Sequence, residues 1–282
     1  MFKNVLVGVD GRPGGRDALA LARRLSDPDG RLTLAHVHSG EVAKEREGSR
    51  GLLEQERAAA GVQAELIGVI SASPGRGLHE QAQRLGADLL VVGSCRHGVL
   101  GRAMLGDDTR AALNDAPCAV AVASVGYSEH AAPLGDVGVA YNSSPESRSA
   151  LALARSLAAR TGATVHALEV VSIPSYTYTA LMPPAIGESI DVMLQEANDR
   201  MNELPPDVDA HAVYGLAGEE LAAFGEAMDI LVVGSRSYGP VRRLVLGSTS
   251  AHLQRHARCS LLVLPRTAAA GSAEDSAGSS VS

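Results

Sequence analysis

The chain has 282 residues, 45% of them hydrophobic and 20% charged, with a formal net charge of -7; this is a globular balance with length for two cores, and it excludes a disordered, collagenous or coiled-coil chain. The acidic excess, with no Trp and only two Phe, argues against nucleic acid, because phosphate backbones are bound by clustered Lys and Arg. Only Lys3 and Lys44 stand against 23 arginines, and neither follows a glycine-rich run, which excludes a P-loop and the strand lysine of a protein kinase.

In chain order, apolar or β-branched runs at 4–9, 31–38, 63–70, 88–92 and 118–123 read as strands, alternating with helical patterns at 15–25, 43–60, 78–85 and 109–114. Residues 124–135, with Gly126, Ser128, Pro133 and Gly135, read as a linker. Beyond it the same succession returns. The stretch 18–23 recurs unchanged at 150–155; residues 87–94 recur at 228–235 with six of eight identical; 118–122 returns at 259–263. A duplicated unit follows, with domains at 1–125 and 134–266. Ser144 as N-cap and Pro145 at the first helical position open a helix through residue 160. Residues 172–186, with Pro174, Tyr176, Tyr178 and Met182, form a loop that serves as a lid, as a partner contact, or simply packs on its own domain. Residues 267–282 are too polar to cover a core and read as a disordered tail.

Strand–helix alternation implies parallel sheets covered on both faces. The expected fold is α/β, two tandem open parallel five-stranded sheets of Rossmann-like order 3-2-1-4-5 flanked by helices. The fifth strand of each unit is apolar on both faces yet lies at an edge, an aggregation hazard if uncovered. The two fifth strands, 118–123 and 259–264, are therefore expected to cover each other as an intramolecular pseudo-dimer, and the same edge allows a homodimer. The N-terminal apolar run is too short for a signal peptide and no 18-residue apolar span occurs, so a cytoplasmic protein without membrane contact is expected. Cys95, Cys118 and Cys259 lack a C-x-x-C pair and read as buried free thiols.

In such sheets ligands bind beyond the carboxyl ends of the strands where strand order reverses, between strands 1 and 4. Asp10, Gly11, Gly14, Gly15 and 93–96 emerge there in the first unit; Asn142, Ser143, Ser144 and 234–237 do so in the second. Each strand-4 loop runs on to a further glycine, Gly106 or Gly247, that opens the last helix and lies 13 residues beyond Gly93 or Gly234. Glycines admit close backbone approach, and helix starts favour anions.

On these residues the sequence resembles the universal stress protein family in its tandem form. Family members with bound ATP carry G-x-x-G-x9-G-[S/T] after strand 4 and an Asp after strand 1. Here Arg96 and Ser237 occupy the second glycine position, Asp107 follows Gly106, Asn142 stands at the Asp position, and only Gly247-Ser248 keeps the helix-start pair. The resemblance implies adenine nucleotide, as ATP with Mg2+, held in the second unit by Asn142, Ser143, Val233, Gly234, Ser235, Arg236, Ser237, Gly247, Ser248 and Thr249. A weaker counterpart is implied in the first at Asp10, Gly93, Arg96 and Gly106. It also implies a stress-response or regulatory binding protein with an unidentified protein client. A nucleotide-free scaffold is the alternative, and a very slow ATPase the limit of enzymatic activity.

Plainer roles stand beside these. Gly93 and Gly234 could only end a strand, Asp107 or Asp108 could only cap a helix, and Arg96, Arg102, Arg236, Arg242 and Arg243 could only be solvated. His252 and His256 share a helix face without a third metal ligand, and His36 with His38 reads as a polar cap on the sheet. No G-x-S-x-G, H-E-x-x-H or Cys-His motif is visible, so neither catalytic nor metal-binding residues are expected.

Overall fold

The computed structural model describes residues 1–40, 43–94, 116–130, 132–172, 184–235 and 247–265. The first half runs β1 (Phe2–Gly8), α1 (Pro13–Leu25), β2 (Ser26–His38), α2 (Ala43–Ala60), β3 (Glu65–Ile70), α3 (Pro74–Leu85), β4 (Leu89–Gly93) and β5 (Ala119–Ala123). After a 3-10 turn at Tyr127–His130 the second half runs β6 (Asp136–Ala140), α4 (Pro145–Thr161), β7 (Thr164–Val171), α5 (Pro184–Asn202), β8 (Val208–Tyr214), α6 (Ala217–Phe224), β9 (Ile230–Gly234), α7 (Ser248–His256) and β10 (Ser260–Leu264). The expected helix at 109–114, most of the loop at 172–186, Cys95 and the tail at 267–282 lie outside the described residues. Strand β2 starts five residues earlier than its apolar run, at Ser26, and its pairing with β1 shifts register between Phe2 and Asn4.

The expectation of two separate parallel sheets is corrected. All ten strands form one sheet, ordered β3-β2-β1-β4-β5-β10-β9-β6-β7-β8. Pairing is parallel within each half and antiparallel at the join, where Val120, Ala121 and Val122 oppose Val263, Leu262 and Leu261. The physical reason is the apolar fifth strand. Every residue of β5 is buried, as are four of the five in β10, and such a strand satisfies its outward N–H and C=O groups only by continuing the ladder. The order within each half is 3-2-1-4-5; the sheet simply does not stop there.

Two core layers cover the sheet's faces, and both run through both halves. Val5, Val7, Val91, Ala121, Val139 and Val232 point to the face covered by α1, α2, α4 and α5. Leu6, Leu90, Val122, Leu231 and Val263 point to the face covered by α3, α6 and α7. This is the period-two alternation of a strand applied to runs apolar on both sides. The Asp that recurs in 87–94 and 228–235 holds backbone amides of the adjacent strand. Asp88 accepts from the Lys3 and Asn4 amides at 2.8 and 3.0 Å, and Asp229 from the Gly135 and Asp136 amides at 2.6 and 3.0 Å. Each carboxylate thus ties the central strand of its half to the strand beside it.

Between the halves the chain is tied down as well. Asp17, 1% exposed on α1, accepts from the Gly126 amide at 2.9 Å and from the Ser128 amide and hydroxyl at 2.8 and 2.7 Å. Across the join Arg160 meets Asp27 at 3.3 Å. Burial pushes the Cys118 and Cys259 thiols up to about 12, which leaves them inert as nucleophiles. Among the described residues no helix is long and apolar enough to cross a membrane, and no group of three or more His, Cys, Asp or Glu could hold a metal ion.

Candidate functional site

The chain turns in the same way after the central strand of each half. Asp10 Oδ1 accepts from the Arg12 amide at 3.0 Å, and Asn142 Oδ1 accepts from the Ser144 amide at 3.2 Å. The residue between has positive φ in both, +75° at Gly11 and +60° at Ser143, so the second half holds a serine in the left-handed region where glycine is at ease. A proline then starts the helix, and Ser144 caps α4 by accepting from the Ser147 amide at 3.1 Å. Asn142 therefore keeps the turn-forming acceptor of Asp10 and drops its charge.

Facing this turn is the glycine that ends β4 or β9. A Cβ on Gly234 would lie 2.7 Å from the Glu146 Cβ and 3.0 Å from its carbonyl carbon. A Cβ on Gly93 would collide with the Gly14 backbone. Both glycines are thus required by the close approach of the helix start, so packing alone accounts for them.

Two cavities open at these positions, one in each half. The second-half cavity, about 580 Å³, is lined by Asn142, Ser144, Val233, Gly234, Ser235, Gly247, Ser248 and Thr249, with Glu146 the carboxylate on its wall. Helix α7 starts there; its cap residue, Gly247, offers no side-chain acceptor to the first amides, and the first amides of a helix have no intrahelical partner. Ser143 flanks this cavity through its backbone turn. Arg236 and Ser237 lie outside the described residues, as do Arg242 and Arg243. Sequence reading missed Glu146, buried at the helix start, and the apolar wall of Leu168, Val170 and Leu221. Only the apolar strand ends hinted at that wall.

The first-half cavity, about 480 Å³, brings Asp10 and Gly93 together with Arg12, His36, Leu78 and Ser94. Arg96, Arg102, Gly106, Asp107 and Asp108 lie outside the described residues. His36 is not merely a cap on the sheet: its Nδ1 lies 2.9 Å from Ser49 Oγ and its ring lines the cavity. Burial, and then His38, hold its imidazole below the ordinary histidine value against the pull of Asp10. The connecting segment adds Val125, Gly126 and Glu129 to this wall, which sequence reading took for linker only.

The two cavities differ at one equivalent serine. Ser94 and Ser235 each donate a backbone amide to the neighbouring strand, to Ala123 and Leu264 at 3.1 and 2.9 Å. The Ser94 hydroxyl also donates to the Ala123 carbonyl at 2.8 Å. The Ser235 hydroxyl, on a residue 5% exposed, is buried with no hydrogen-bond partner among the described residues.

The family model described as the universal stress protein family matches residues 1–124 and 134–265. A universal stress protein of Mycobacterium tuberculosis is 30% identical over 190 residues, 63% of this chain and 61% of its own length, so the chain covers about three fifths of that relative. One from Thermus aquaticus is 33% identical over 136 residues, 45% of this chain and 95% of the relative. Among solved structures, a functionally unknown protein from Pseudomonas aeruginosa shares the fold with a TM-score of 0.66 at 19% identity, covering 93% of this chain and 92% of that one. A universal stress protein from Archaeoglobus fulgidus does so at 0.60 and 19%, covering 94% and 98%. With the family pattern matched in both halves, the chain belongs to the universal stress protein family.

Proposed function

We propose that the chain is an adenine-nucleotide-binding protein that holds ATP in the second-half cavity and acts as a stress-response or regulatory binding protein. The observation that carries this reading is the orphaned Ser235 hydroxyl beside the start of α7. A buried hydroxyl without a partner costs about 1–3 kcal/mol, and a phosphate oxygen supplies the missing partner. The amides at the start of α7 and the hydroxyls of Ser248 and Thr249 fit the same anion. The apolar wall of Leu168, Val170 and Leu221 suits the base.

The charge balance calls for magnesium. A carboxylate about 4 Å from one phosphate charge opposes it by roughly 4 kcal/mol at an effective dielectric of 20, whereas a helix start contributes about 0.3–1 kcal/mol. Glu146 is a carboxylate on the cavity wall, and a Mg2+ ion bound with the ATP would screen the phosphates from it. The role is binding rather than turnover: the described lining offers phosphate donors, and its single carboxylate, Glu146, belongs to the start of α4. The test is the content of the purified protein. A raised ratio of absorbance at 260 to 280 nm, with ATP identified by mass spectrometry after heat release, is expected; protein free of nucleotide that also fails to take up added ATP with magnesium would overturn the proposal.

A further inference from the structure

The two ends of the sheet are finished differently. Its edge strands are β3 and β8. The Ser71 amide donates to the His38 carbonyl at 3.0 Å, so by strand alternation Ile67 and Val69 also face β2, while Leu66, Gly68 and Ile70 turn their amides and carbonyls outward. These outward groups find no hydrogen-bond partner among the described residues. On β8 the outward amides of Val208 and Ala212 are taken, by the Pro205 carbonyl at 2.9 Å and by Asn198 Oδ1 at 3.0 Å. The β8 edge is thus partly blunted by its own chain, whereas β3 presents a row of backbone groups of the kind that pairs with another strand.

A cavity of about 800 Å³ runs along the open edge, between α2 and β3. Arg46, Arg50 and Arg57 line it from α2, and Leu66, Gly68 and Ile70 from the strand. The helix runs against the strand: Arg57 donates to the Ala64 carbonyl at one end, and at the other Glu45 lies 4.0 Å from His38, the register partner of Ile70. Two carboxylates share the lining, and each already has a cation. Glu54 pairs with Arg50 at 2.9 Å, and Glu65 pairs at 3.6 Å with Arg31 on β2. Arg46 has no ion pair among the described residues, and Arg57 meets only a neutral carbonyl. The groove is therefore cationic although the chain is acidic. Its spacing is that of a strand: Arg46 and Arg50, four residues apart on α2, are separated by about 6 Å along the helix, and alternate side chains of a strand by about 6.6 Å. Leu66 and Ile70, the latter 43% exposed, supply apolar contact between the charges.

We propose that the open β3 edge beneath α2 takes up an extended acidic segment of a partner protein as an added strand, its backbone bonding Leu66, Gly68 and Ile70 and its alternate carboxylates meeting Arg46, Arg50 and Arg57. A second copy of this chain fits less well. In a two-fold pairing of two β3 edges the Arg46 end of one copy meets the Arg57 end of the other, and like charges oppose the contact.

The probe is a blocked peptide of about six residues, the length of β3, with Glu and Val alternating. Amide exchange in the full, 15N-labelled chain is followed by NMR at low ionic strength. At a peptide concentration about ten times its Kd, exchange at Leu66, Gly68 and Ile70 is expected to slow about tenfold, with Ile67 and Val69, already bonded to β2, unchanged. The same peptide with Lys for Glu, or with every second amide N-methylated, should give no such protection. Arg46→Glu, at an exposed helix position where folding is not at risk, should weaken the peptide about tenfold, the ratio for two charge units about 6 Å away in water. Absence of the alternating protection overturns the proposal, as does equal protection by the Lys peptide or equal binding of the N-methylated one, which would reduce the groove to a polyanion patch. Protection of the same amides that grows with protein concentration alone would assign the edge to a second copy and overturn it too. The readout lies apart from the second-half cavity, so its outcome does not depend on ATP binding.

Discussion

Replacing Ser235 by Ala should have opposite effects on stability and on binding. In the free protein the hydroxyl is buried beneath the second-half cavity without a partner among the described residues. Its removal deletes an unmet hydrogen-bonding need worth about 1–3 kcal/mol. At about 2–4 °C per kcal/mol for a chain of this size, the nucleotide-free variant should melt about 2–12 °C above the parent, towards the lower end where methyl packing is imperfect. With nucleotide the sign reverses. A hydrogen bond to a charged phosphate is worth about 1.5–3 kcal/mol, so ATP affinity should fall about tenfold or more. The equivalent Ser94→Ala gives the control. Its hydroxyl donates to Ala123 at 2.8 Å, so that variant should lose about 0.5–1.5 kcal/mol and leave ATP affinity unchanged. Thermal melts with and without ATP and magnesium, with calorimetric titration, read both quantities. A nucleotide-free Ser235→Ala protein less stable than the parent, or one that binds ATP as tightly, would refute the reasoning.

Glu146→Gln should make ATP binding nearly independent of magnesium, seen as the loss of most of the affinity difference between titrations with the ion and with a chelator. Ala121→Glu places a charge in the fully buried β5 opposite Leu262 and should cost more than about 3 kcal/mol, measurable by urea unfolding. Stability should also fall with acidification. His36 titrates below its unfolded value, so the folded state binds fewer protons just below pH 6.5 and stability is lost as pH drops through that region. His36→Gln should flatten the melting temperature between pH 7 and pH 5 in part, since His252 is lowered as well, first by burial and then by His256 and Arg255.

Much of the architecture was legible because it is written in local pattern. The repeat, the strand order within each half and the Ser144-Pro145 helix start follow from residues that are neighbours in sequence. What was not legible depends on contacts between distant positions. The apolar character of 118–123 announces that it must be covered, and the cover is the expected strand 259–264; what it does not announce is that this pairing joins the two halves into one ten-stranded sheet. Asp17 sits inside an amphipathic helical pattern and shows nothing of partners 109 and 111 residues away. At the site, the strand ends that carry Gly93 and Gly234 marked where both cavities open, yet those two glycines answer to helix packing. The residues that distinguish the halves, Ser235 against Ser94, carry their meaning only through which hydroxyl has a partner. Glu146 belongs to the same class: it lines the cavity because Gly234 lets the helix start approach.

The most direct test of nucleotide binding in the second half is a calorimetric titration of the full chain with ATP and magnesium, repeated on Ser248→Asp. That substitution puts a carboxylate where the anion would meet the start of α7, a repulsion of roughly 4 kcal/mol at about 4 Å and an effective dielectric of 20. The expected result is one strong site in the parent, weakened about a hundredfold or more in Ser248→Asp. Unchanged ATP affinity in Ser248→Asp would contradict nucleotide binding at this helix start.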